Sequence, residues 1–336
     1  TDDTGEVQHH DTTAVVATVS AAYSAGALTT VSLNGEEVED HVALATDSNV
    51  TSSGGWVFAL NRVDNSVRVY TPGSWETPYK EFAVGVNPQQ AIVCKDKLFI
   101  TLYGEDHVAI YNIDSGTLAG SVDISSYDTH GDGTPEASSA VVLDDTLYIG
   151  LENQDQTWTG IDGKVIAIDC ASEQVSGSWP VGGNATIALA GDTLVARWGN
   201  WYNPDYSVAI DGEVGVLDPD SGFTAKLSEE DLDLNIQSVA FTDEGFGVLL
   251  ASSTDGTDSY SVHCVDVSDW SMTRLADMDE FVSDAVANSE GEVWLATRPH
   301  WINGGDGGIY RVDPKACAFV GERVPTTLPP SALTFY

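Results

Sequence analysis

The stretch Asp145–Val181, DTLYIGLENQDQTWTGIDGKVIAIDCASEQVSGSWPV, contains three apolar segments parted by polar loops. TLYIGL (Thr146–Leu151) is a short run of apolar and aromatic residues behind an Asp-Asp turn, and KVIAID (Lys164–Asp169) is a second, ending in aspartate. QVSGSWPV (Gln174–Val181) alternates polar and apolar residues. Runs of this length and composition bounded by Asp, Gly and Ser are β-strand signals, and nothing here has helical periodicity. SSAVVL (Ser138–Leu143) precedes them as a fourth strand. The unit therefore has four strands, A to D, in hairpin order.

The same unit recurs along the chain. B-like strands stand in GGWVFALNR, DKLFITLYG, DTLVARWGN, EGFGVLLAS and GEVWLATRP. C-like strands follow in NSVRVYTP, DHVAIYNID, GEVGVLDPD, YSVHCVDVS and GGIYRVDP. Four of the C strands end at Asp169, Asp218, Asp266 and Asp313. A period of roughly 40 to 55 residues is that of four-stranded propeller blades. Six units fit between Leu44 and Arg323. The C-terminal PPSALTFY reads as a lone A strand, and AVVATVSAAY, GALTTVSL and EEVEDHVAL near the N-terminus supply B, C and D. Sharing one blade between the chain ends closes a ring and removes exposed strand edges. The sequence thus predicts an all-β, seven-bladed β-propeller with four-stranded antiparallel blades. Residues 14–336 form the single domain, behind a polar leader of residues 1–13; a sandwich or an eight-bladed ring is the alternative.

Composition narrows the function classes. Fifty-two acidic side chains against thirteen basic ones give a net charge of −39, which repels nucleic-acid phosphates and anionic membrane surfaces. An acidic, solvated surface is the plain explanation, and attraction of cations or a cationic partner the sharper one. No apolar run nears the ~18 residues that span a bilayer. Four cysteines are too few for a disulfide scaffold and, without C-x-x-C spacing, speak against zinc ligation. Cys94 and Cys170 fall in neighbouring blades, as do Cys264 and Cys317, so bridges between them are open, subject to the distance between inner and outer strands.

The units LYIGLEN…GKVIAIDCASEQV and LFITLYGEDHVAIYNIDSGTLAGSVDI, with NPQQAIV (Asn87–Val93), resemble the YVTN-type, lactonase-like seven-bladed propellers of secreted bacterial proteins, many of them surface lipoproteins. The resemblance implies the fold and an exported chain: secreted, periplasmic or at the cell surface, with a lipid anchor upstream as one form. It does not choose between enzymes and binding modules.

Two sets of residues are candidate sites. In YDTHGDGTPE, residues Asp128, His130, Asp132 and Glu136 match the opening of a D-x-[DN]-x-[DN]-G calcium loop, with His in one oxygen position and no bidentate Glu at position twelve. The readings are a structural cation, foremost calcium; an acidic connection without metal; and catalytic carboxylates. The B–C connections of blades 4, 5 and 7 are long and aromatic, bringing Trp158, Trp198, Trp201, Tyr202, Tyr206, His300 and Trp301 to one rim. Such rings serve recognition of a protein, glycan or small molecule, or pack against one another. Arg62, Arg197 and Arg298 close B strands near the channel mouth, suited to an anionic ligand or to local salt bridges.

No catalytic motif is present: no G-x-S-x-G, H-E-x-x-H, Walker loop or dinucleotide fingerprint. The leading expectation is a non-catalytic exported propeller, monomeric, without organic cofactor, binding a partner through its aromatic rim. The alternatives are a metal-dependent, lactonase-like hydrolase using channel residues such as Glu105, Asp106, Glu152 and Asn153, and a structural ring in a surface assembly.

Overall fold

In the B strands burial is continuous: Lys97–Leu102, Thr146–Leu151 and Val293–Arg298 each bury at least four successive residues. A strand covered on both faces reads as an unbroken apolar run, because sheets stack against it from either side. The D strand Gln174–Pro180 alternates exposed and half-buried residues, as an outer strand with one wet face does. These two patterns place B inside and D outside in every unit.

The computed structural model, which describes residues 11–155, 160, 162–199, 203, 207–254, 259–300 and 304–336, contains seven four-stranded antiparallel sheets. The innermost A strands are Ser48–Ser53, Pro88–Cys94, Ala137–Leu143, Thr186–Ala190, Leu234–Phe241, Phe281–Ala287 and Pro330–Phe335. The last of these belongs to blade 1. Ala14 pairs with Phe335 and Val16 with Leu333, beside Thr13–Val19, Gly26–Ser32 and Val38–Leu44. Ring closure by both chain ends is as the repeat register requires. Asp11 and Thr12 are tied to the body as well, through Ser289 and the Tyr336 carbonyl.

The core is divided between the blades. Seven apolar clusters each bridge two neighbouring sheets, and together they run round the ring. At the closure, Trp294 of blade 7 meets Phe335 of blade 1 edge-on, with ring centroids 5.2 Å apart.

The face bearing the A–B and C–D turns is built from repeated local chemistry. A–B hairpins turn through pairs of left-handed residues, Gly54-Gly55, Lys95-Asp96 and Asp144-Asp145, the backbone of two-residue type I′ turns. In five C–D turns an Asx residue is followed four positions later by a left-handed one: Asn112/Gly116, Asp169/Glu173, Asp218/Gly222, Asp266/Trp270 and Asp313/Cys317. The Asx carboxylate or amide oxygen accepts N–H groups within the turn, as Asp313 does from Lys315 and Ala316. The terminal aspartates of the C strands are therefore turn-closing residues.

Both disulfides lie on this face. Cys94 bonds to Cys170 and Cys264 to Cys317, with Cα–Cα distances of 5.9 and 5.6 Å. They join blade 3 to blade 4 and blade 6 to blade 7. No helix among the described residues is long and apolar enough to cross a membrane.

Candidate functional site

The opposite face carries the B–C and D–A connections and opens on the central channel. A cavity of about 460 Å³ there is lined by the A strands. Its polar side chains mostly join one inner strand to the next. Asn49 Nδ2 donates to the Gln89 carbonyl at 2.8 Å, Ser139 Oγ accepts from the Ile187 N–H at 2.9 Å, and Asp284 Oδ2 accepts from the Leu333 N–H at 2.9 Å. Burial raises the Asp284 carboxyl to about 6 against those hydrogen bonds. The channel lining is thus largely committed to holding the blades together.

Around the mouth, acids on the connections fold back into the protein. Glu136, just before the blade 4 A strand, accepts from the Gln154 N–H at 3.0 Å and from Thr134 Oγ1 at 2.6 Å. Glu280, before the blade 7 A strand, accepts from Gly307 N, Thr297 Oγ1 and Arg323 Nη1. Glu229 accepts from Gly212 N and Ile236 N. Each carboxylate thereby ties a B–C connection to a strand or turn. Glu152 accepts from Tyr103 Oη at 3.0 Å and Gln154 Nε2 at 2.8 Å. Burial pushes Glu136 up to about 7 and raises Glu152 and Glu229 too. Tyr103 is raised by burial and the Glu152 charge.

The residues of the YDTHGDGTPE loop are placed as follows. Asp128 accepts backbone N–H groups of His130, Gly131 and Gly133. Burial works against its ionised form, yet these bonds hold its carboxyl below the usual range. His130 Nε2 lies 2.7 Å from the Asn153 carbonyl, and Asp132 accepts the Thr134 N–H. With Glu136 turned to Gln154 and Thr134, the oxygens face backbone donors, and a cation here would compete with those N–H groups. Among the described residues, the acid and imidazole atoms that do converge within 4.8 Å are those of Glu105, Asp106 and His107. Of these, Glu105 already accepts the Val86 N–H.

The three arginines diverge. Arg62 pairs with Asp47 and reaches Gln89 Oε1. Arg197 is buried, donating to Thr186 Oγ1 and the Ile236 carbonyl; burial lowers its pKa, opposed by the charges of Glu152 and Glu229. Arg298 instead lies over the Tyr23 ring, 4.5 Å from its centroid, with Nη1 donating to the Tyr23 hydroxyl at 2.8 Å. Of the rim aromatics, Trp198 is half-buried, packed on the Gly182 backbone, with Nε1 donating to Glu213. Trp158, Trp201, Tyr202, Tyr206 and Trp301 lie outside the described residues.

His300 and Arg298 line a cavity of about 530 Å³ with Ala21, Tyr23, Tyr260, Phe281 and Pro299. Blade 1 supplies Ala21 and Tyr23, blade 6 supplies Tyr260, and blade 7 the rest. Tyr260 meets Phe281 edge-on at 5.3 Å and His300 edge-on at 5.7 Å, arrangements that fix ring walls in place. Tyr23, Tyr260 and Phe281 carry no sequence motif. Their one signal is an aromatic residue at a strand end or connection of this face in blades that the closed ring makes neighbours.

Fold and face define a seven-bladed propeller with an aromatic pocket on its B–C side. Solved structures with this fold include a putative 6-phosphogluconolactonase from Bacteroides uniformis, at TM-score 0.67 and 11% identity over 98% of this chain and 100% of that one. The periplasmic gluconolactonase PpgL of Pseudomonas aeruginosa matches at TM-score 0.63 and 14% identity, covering 96% and 98%. Apo AztD from Citrobacter koseri matches at TM-score 0.55 and 14% identity, covering 94% and 83%. At these identities the likeness is one of fold, and it agrees with the lactonase-like resemblance read from the repeats. No protein-family model and no curated protein matches the chain by sequence.

Proposed function

We propose that this is an exported propeller that binds a metabolite-sized ligand on its B–C face, in the pocket between blades 6, 7 and 1. The observation that carries the reading is the pocket itself: about 530 Å³, walled by Tyr23, Tyr260, Phe281 and His300 and containing one arginine. Ligand sites are concave, mostly apolar, and hold a few placed polar groups. Two disulfides support export, because such bonds persist in oxidising compartments.

A hydrolase is the second reading, favoured by Glu136, a carboxyl held near 7 next to Glu152 and therefore suited to moving protons close to neutral pH. One experiment separates the two. The native chain and Tyr23→Ala are screened by thermal shift against a metabolite library, and a lactone panel is assayed for turnover. Ligands that raise the Tm of the native chain but not of Tyr23→Ala support the binding site. A library without such ligands overturns it, and lactone turnover abolished by Glu136→Gln transfers the function to the acid cluster.

A further inference from the structure

The pocket has a charge balance opposite to that of the molecule. The chain carries a net −39, yet none of the seven described residues that line the pocket is acidic, and one is Arg298. Building on the ligand-binding reading above, we propose that the pocket takes a ring-bearing carboxylic acid. Its carboxylate pairs with Arg298, and its ring lies among Tyr23, Tyr260 and Phe281.

Arg298 is exceptional among the arginines. Arg62, Arg68, Arg274, Arg311 and Arg323 each pair with a carboxylate, and Arg197 is held in the field of Glu152 and Glu229. Arg298 meets no carboxylate among the described residues. Its Nη1 is engaged by the Tyr23 hydroxyl, and its Nε is enclosed without an acceptor. A guanidinium has five donors and no acceptor, and its strongest bonds are to planar anions that accept two donors together. In a protein this rich in acids, a half-buried arginine without an acid beside it among the described residues leaves a charge for a ligand to meet.

The walls select what accompanies the anion. The cavity is larger than a small inorganic ion needs and falls within the ~300–1,000 Å³ of metabolite sites. Three aromatic rings and a proline offer apolar surface to a ring. The chain's overall negative potential works against any anion, so a bare ion without a ring to bury gains too little here. Both elements, the arginine and the aromatic wall, are needed together.

Titration calorimetry with phenylacetate, phenylacetamide, indole-3-acetate and inorganic phosphate tests this on the native chain and on Arg298→Met. The acids are expected to bind about tenfold or more tighter than the amide and than phosphate, as one charge-assisted contact warrants. The preference should vanish in Arg298→Met, acid and amide then binding equally. Equal binding of acid and amide overturns the carboxylate inference and leaves the aromatic site standing. Phosphate binding as tightly as the acids overturns the inference too. Failure of all four probes to bind overturns the ring-carboxylate inference, while the ligand-binding reading beneath it stands or falls on the metabolite screen. If Arg298→Met does not fold, the acid-against-amide comparison on the native chain decides alone.

Discussion

On one face of the ring Asp169, Asp218, Asp266 and Asp313 accept backbone N–H groups inside tight turns at the protein surface. On the other, Glu136, Glu152 and Glu229 also bind protein donors, but inside the structure. The same functional group is used to opposite electrostatic effect. Hydrogen bonding holds Asp169 and Asp218 below the ordinary carboxyl range, whereas burial holds the three glutamates above it. The turn face repeats one solution blade after blade. The connection face reuses a buried glutamate but changes its partners from junction to junction, and that is where a protein can depart from its own symmetry to make a site.

The sharpest way to test this contrast is Arg197→Met. Arg197 is a base whose charge acts on both Glu152 and Glu229, and its donors also satisfy Thr186 and the Ile236 carbonyl. Methionine keeps much of the volume but leaves an unpaired carbonyl and two enclosed carboxyls without a compensating charge. A loss of about 4 kcal/mol is expected from urea unfolding. A loss no larger than that of an exposed arginine such as Arg274 would mean that the connection face is not electrostatically coupled.

The turn face has a covalent counterpart. Removing the Cys94–Cys170 bridge by a double change to serine opens a loop of 76 residues, and the Cys264–Cys317 bridge closes 53. Each loss should lower stability by about 3 kcal/mol, read as a lower denaturation midpoint. Native midpoints unchanged by reducing agent would remove the bridges from the account.

Much of the turn face could be read in advance, because its signals are local. The burial of TLYIGL or VWLATR is written in consecutive residues, and the aspartate that closes KVIAID stands at the strand end it terminates. The connection face depends on convergence. Tyr23 and Arg298 are 275 positions apart, yet they stack because the ring closes between them. The Asp128–Glu136 spacing fits a cation loop, and the same alternation of acids and glycines also fits carboxylates bonded to backbone N–H groups, so the spacing alone does not choose between them. The cysteine pairs could be assigned to neighbouring blades. That the A strand of blade 3 comes within bonding distance of the C–D turn of blade 4, and the C strand of blade 6 of the C–D turn of blade 7, depends on blade twist, which sequence period does not encode.

The smallest expected effect tests the contrast by its sign. Glu136 has its folded pKa raised from 4.5 to about 7, so the folded state retains a proton that the unfolded chain gives up. Its contribution is complete below about pH 4.5 and is lost as pH rises through 7. Asp169 and Asp218 have lowered folded pKa values. Their contribution is present above the unfolded carboxyl value near 3.8 and is lost as pH falls below it. Glu136→Gln should therefore lessen the slope of the stability profile between pH 4.5 and 7, where Asp284 also titrates, and leave its acid limb intact. Asp169→Asn with Asp218→Asn should keep the turn acceptors, soften the acid limb and leave the neutral range alone. Urea midpoints across pH 3 to 8 for the three proteins give the comparison. If Glu136→Gln keeps the native slope between pH 4.5 and 7, the glutamate is not enclosed as described, and the connection face loses its distinguishing electrostatics.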